Sequence, residues 1–149
     1  MHNVLVVIHV LAAMAWVGGG TLSALLSYRA LSTGEGFETI ATQELTAGSR
    51  LFGPAAVLVL LSGITIVLTT PSWRFSQTFV WLSLTLVLIS LAVGGGFYNR
   101  TWTRMRALYA DSPDDPELVR LRGRMALVQR VDLLILIAVV VLMVTKPGL

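Results

Sequence analysis

Apolar residues fall into four long blocks, at about 4–26, 51–70, 79–97 and 126–145, and the segments between them hold most of the charged residues. A block of roughly 20 residues is what a helix needs to cross about 30 Å of hydrocarbon. Strands of an outer-membrane barrel would alternate apolar and polar positions, whereas these blocks are apolar on all faces, so they read as helices. The fourth is uninterrupted only from Leu133 to Val144, and it spans if Gln129, Arg130 and Asp132 are drawn into the helix. Its alternative, a short buried helix of a soluble core, has no other apolar surface to pack on. The pattern predicts an all-α membrane protein, a single four-transmembrane-helix bundle over 1–149.

Composition agrees: 55% of residues are hydrophobic, 13% are charged and the mean hydropathy is +0.78, outside the balance of a soluble domain. The first block lacks the basic lead of a secretory signal, since only Met1, His2 and Asn3 precede it, and it is longer than a signal's apolar core of roughly 7–15 residues. It is expected to be a retained first helix. Without cysteine there are no disulfides and no thiolate metal ligands.

Arginine distribution predicts orientation. The link from Ser27 to Arg50 carries Arg29 and Arg50, and the link from Tyr98 to Arg124 carries Arg100, Arg104, Arg106, Arg120, Arg122 and Arg124; the other side offers Arg74 and Lys146. Basic residues in short loops mark the cytoplasmic side, so both termini are expected outside the cytoplasm. A sequence pI near 10.0 raises the question of nucleic acid. The arginines, however, alternate with Glu35, Glu38, Glu44, Asp111, Asp114, Asp115 and Glu117, and no aromatic interleaving offers a base-stacking platform, so the basic links are read as topology signals and no nucleic acid is expected. In the third link, Asp111 to Glu117 carries two prolines and four acids, a turn followed by a helix start. The third and fourth helices are therefore expected to run past the membrane. Pro71, Trp73 and Trp81 suit a short external turn with interfacial indoles.

Gly18-Gly19-Gly20 recurs as Gly94-Gly95-Gly96, and Thr69-Thr70-Pro71 as Thr145-Lys146-Pro147, both 76 positions on. A common offset at both ends of a helical hairpin suggests two tandem hairpins; chance matching between apolar segments is the alternative. Lipid gives helices no hydrophobic reason to associate, so each glycine triplet is expected at a close crossing.

One face of the first helix is different. His9, Ala13, Trp16, Gly20, Ser23 and Ser27 lie within about 40° of one line on an ideal helix, a small and polar stripe that should face the bundle interior. His9 can bond a neighbouring hydroxyl such as Thr85 or Thr65, ligate a metal or haem iron, or relay protons. For a ligand role, Met143 near the outer end of the fourth helix is a candidate second partner, with Trp16 and Gly20 beside a flat ring, and Arg74 and Lys146 could receive its acidic groups. Asp132, deeper in the fourth span, is expected either to have its pKa shifted upward or to find a donor, for which Arg50 is a candidate.

The run from Ile8 to Gly19, with its histidine, six residues, tryptophan, any residue and glycine, resembles the opening helix of a group of small bacterial membrane proteins. That group comprises the copper-resistance protein D family, the HemJ family of protoporphyrinogen oxidases, and a related uncharacterised four-helix integral membrane family. The last is most similar in length, in Arg50 at the start of the second span, in Ser62-Gly63 and in the arginine-rich third link. The HemJ resemblance implies haem b held by His9 and oxidation of a porphyrinogen, but a glycine triplet stands after Trp16 where those proteins have an aromatic and a Leu-Pro-Arg segment. The copper-resistance resemblance implies copper handling, although the five methionines here are scattered.

The sequence thus leads to a bacterial inner-membrane protein whose bundle holds haem b through His9, with porphyrinogen oxidation the one specific enzymatic candidate. The alternative is a non-enzymatic accessory subunit, with a membrane-protein partner or a second copy against its glycine faces. No nucleophile–base pair or phosphate loop is present to indicate an independent enzyme.

Overall fold

In a computed structural model describing residues 2–147, the chain forms four helices: α1 His2–Thr33, α2 Phe37–Thr69, α3 Thr78–Asp111 and α4 Pro116–Thr145. There is no strand among the described residues, and Met1, Gly148 and Leu149 lie outside them. All four helices are long and apolar enough to span. At 1.5 Å per residue they run about 45–50 Å, well beyond the roughly 30 Å of hydrocarbon. The excess lies at the arginine-rich end of the bundle. Extension was expected of α3 and α4; the first link proves mostly helical as well. The reason is legible in Phe37, Ile40, Ala41 and Leu45, whose spacing puts an apolar stripe on the first turns of α2.

Local chemistry sets the ends. Gly34 (φ 79°) and Gly36 (φ 67°) take left-handed conformations that let α1 turn into α2 within three residues. Asp115 caps α4 by accepting the Glu117 amide at 2.6 Å, and Pro116 occupies the first turn. At the opposite, terminal end, Pro71 follows the last turn of α2, Trp73 packs edge-on to Phe79, and the Lys146 ammonium sits 5.0 Å from the Trp73 ring centroid.

Two cores are stacked along the bundle. The one at the arginine-rich end gathers Leu31, Phe37, Trp102, Met105, Leu118 and Met125, with the Phe37 ring 4.9 Å from Tyr109 and the Arg122 guanidinium 4.8 Å from the Phe37 centroid. The second, nearer the terminal end, is made of smaller residues: Ala12, Ala55, Ala56, Val59, Val87 and Leu136 around Trp16.

Between the cores, three helices change winding. Segments Met14–Gly18 of α1, Gly48–Phe52 of α2 and Val93–Tyr98 of α3 are π-helical. Each accommodates an extra residue per turn, a feature common at functional sites. The glycine triplets coincide with two of these segments, and they do not play the same part. A Cβ on Gly19 would stand 2.6 Å from the Phe52 ring, a close crossing as expected; on Gly20 it would meet only Leu136 at 3.8 Å, and on Gly94, Gly95 or Gly96 nothing within 4 Å. The second triplet therefore makes space instead of a helix crossing.

Each hairpin carries one polar bridge between its helices, at positions that the 76-residue offset does not equate. His9 on α1 faces Ser62 on α2, and Ser90 on α3 faces Asp132 on α4. Moved 76 positions on, the first pair falls at Thr85 and Ala138; five residues along α3 and six back along α4 from there stand Ser90 and Asp132.

Candidate functional site

A cavity of about 470 Å³ lies between the two cores, where the π segments are. Trp16, Ala56 and Leu136 line it toward the terminal end, and Leu45 and Trp102 toward the arginine-rich end. Its polar groups form two carboxylate stations. At the first, the Ser23 hydroxyl donates to the Glu44 carboxylate, 2.5 and 2.7 Å from its two oxygens. At the second, Ser90 donates to Asp132 Oδ1 at 2.5 Å and the Tyr98 hydroxyl to Oδ2 at 3.4 Å. Gln129 completes the polar lining by donating to Ser27 Oγ at 3.1 Å, while Ser27 donates to the Ser23 carbonyl.

Helical rise sets the depth of these stations. Asp132 is about 20 Å from the terminal end of α4, within the hydrocarbon, and Glu44 about 37 Å from that of α2, near the arginine-rich interface. Both carboxylates are held only by neutral donors, and among the described residues lining the cavity there is no lysine or arginine. A carboxylate in hydrocarbon is costly unless it is protonated or meets a cation.

A family of predicted integral membrane proteins, DUF2269, has a model that matches residues 3–147. The chain belongs to that family. The curated proteins and the solved structures give no match to it.

In this DUF2269 chain the residues expected to form one site are separated. Trp16 and Gly20 line the cavity. His9 sits two turns nearer the terminal end, half-buried, outside the cavity lining, with Nδ1 2.9 Å from Ser62 Oγ. The Ser62 hydroxyl donates to the Leu58 carbonyl, which leaves its oxygen to accept from His9 Nδ1. The partner hydroxyl is thus Ser62 in place of Thr85 or Thr65. Its neighbour Gly63 accommodates the ring: a Cβ there would be 3.2 Å from His9 Cε1.

Met143, half-buried near the end of α4, belongs to neither core nor to the cavity lining. Among the described residues no three His, Cys, Asp or Glu side chains converge as metal ligands. The His9 ring packs with Cε1 against Gly63 of α2, and the cavity does not reach the imidazole. Lys146 is engaged with Trp73, and Arg74 lies in the turn between α2 and α3, where its amide donates to the Gln77 side-chain oxygen.

Sequence reasoning left Asp132 to hold its proton or to find a donor such as Arg50; the donors are Ser90 and Tyr98, and Arg50 is exposed. It missed Glu44, counted there as a loop charge. A signal was available: Glu44 falls on the apolar stripe of Phe37, Ile40, Ala41 and Leu45, where a carboxylate needs a reason to be.

Proposed function

We propose that this DUF2269 protein is a membrane-embedded binding protein whose cavity accepts a small cationic group at Glu44 and Asp132. The observation that carries the reading is the pairing of two carboxylates, Asp132 within the hydrocarbon and Glu44 near its interface, with neutral hydroxyl donors alone, inside a space large enough for a ligand. A cation supplies the charge that the lining lacks, and a low-dielectric site makes the attraction stronger than in water. In detergent, methylammonium or choline chloride should raise the thermal midpoint of the purified protein by a few degrees, as binding to the folded state does. Asp132→Asn and Glu44→Gln should each cut that rise. Failure of every cation to stabilise the protein, or a full shift retained in both variants, would sink the proposal.

Haem b at His9 has less support, because the cavity and the imidazole lie at different heights and one edge of the ring packs on Gly63. For orientation, the arginine asymmetry favours a bacterial inner-membrane protein with the long links in the cytoplasm. Ser112→Cys should then resist a membrane-impermeant thiol reagent in intact cells while Ser72→Cys reacts. Labelling of Ser112→Cys from outside would reverse the orientation.

A further inference from the structure

The cavity has a side entrance. α2 and α3 pack together near their terminal ends and again at the arginine-rich end, but their π segments, Gly48–Phe52 and Val93–Tyr98, stand apart. Several residues lining the cavity are at the same time exposed, and they lie on these two helices: Ser49, Pro54 and Val57 on α2, Gly95 and Asn99 on α3. The lining contributed by α1 and α4 has no exposed member. Pro54 and Val57 lie about 22 and 18 Å from the terminal end of α2, so this opening faces the hydrocarbon and not water.

Gly94, Gly95 and Gly96 keep the α3 side of the gap free of side chains, since a Cβ at any of them would meet nothing within 4 Å. Leu91, Phe52, Pro54 and Val57 make the passage apolar, whereas the hydrogen-bonding groups lie farther in, at Asp132, Ser90 and Tyr98, and toward the interface, at Glu44 and Ser23. A ligand that suits this arrangement has two unlike parts.

We propose that the cavity's ligand is a single-chain cationic amphiphile that enters sideways from the bilayer between α2 and α3, its ammonium head reaching the carboxylates and its alkyl tail lying in the gap. This rests on the cation-binding reading above and adds the tail and the route. The carboxylates select the sign of the head. The tail remains in an environment as apolar as the acyl chains it came from, so its passage costs little, and partition into the bilayer concentrates the amphiphile beside the entrance.

The test uses the full chain in phosphatidylcholine nanodiscs, with the fluorescence of Trp16 and Trp102 as readout in a Trp73→Phe/Trp81→Phe background. Dodecylamine, methylamine and dodecanoate are the probes. Dodecylamine should saturate the signal at a total concentration on the order of a hundredfold below methylamine, because the bilayer enriches it, and dodecanoate should give no saturable change. Asp132→Asn should weaken dodecylamine about tenfold by removing a charge-assisted contact. Gly95→Leu, which fills the gap, should weaken dodecylamine by a larger factor than methylamine. If the two amines saturate together, or Gly95→Leu affects both alike, entry is from water and the lateral route is wrong while the cation site stands. If neither amine gives a signal sensitive to Asp132→Asn, the cation site itself is wrong.

Discussion

Phe37→Ala should destabilise the protein by about 3–5 kcal/mol, the usual cost of emptying an aromatic site in a core. Phe37 is fully buried, stacks near Trp102 and Tyr109, and carries the Arg122 guanidinium on its face. Its place along the bundle makes the loss large. The arginine-rich end projects past the hydrocarbon, so water surrounds this core and the full hydrophobic driving force acts on it, whereas inside the bilayer a vacated apolar side chain is replaced by equally apolar lipid. The change should show as a fall in the thermal midpoint of roughly 10 °C. Leu25→Ala, at a position 69% exposed on α1, should leave the midpoint nearly where it was. Equal shifts for the two variants would mean that the aromatic cluster does not hold this end together.

The second large effect belongs to Gly63. Gly63→Leu should separate α1 from α2, because the new side chain starts 3.2 Å from the His9 ring on the facing helix. Overpacking of this kind costs about 1–3 kcal/mol, and displacement of the imidazole also breaks its bond to Ser62. His9→Ala alone should cost less, since Ser62 keeps its bond to the Leu58 carbonyl. In the double variant His9→Ala/Gly63→Leu the leucine occupies the space the ring has left, and stability should recover to near that of His9→Ala. Strictly additive losses in this cycle would show that the two residues do not share a contact.

Much of the architecture was legible because each helix announces itself locally. The apolar blocks, the proline after Thr69 and the acid–proline start of α4 depend on neighbours within a few residues, and all three appear where the pattern predicts. The inward turn of the first-helix stripe was legible too, with Trp16 and Ser27 buried and His9 half-buried. The site was not, for two physical reasons. Its carboxylates are satisfied by partners 21, 42 and 34 positions away, for Ser23–Glu44, Ser90–Asp132 and Tyr98–Asp132, and nothing in a 3.6-residue periodicity selects those pairs. The space itself comes from π segments, where a slip of the backbone hydrogen bonds is decided by packing and not by local propensity. Gly94, Gly95 and Gly96 look like Gly18, Gly19 and Gly20 in sequence, yet one triplet receives Phe52 and the other borders empty volume.

The buried face of each of these helices runs straight through its π segment. Ala12 and Ala30 on α1, Phe37 and Ala55 on α2, and Val87 and Met105 on α3 are each 18 residues apart, five turns of an α-helix, and each pair has one member in either core. A single stripe thus serves both the small-residue core and the aromatic core. The seam between them, at Met14–Gly18, Gly48–Phe52 and Val93–Tyr98, is where the chain has room for a guest.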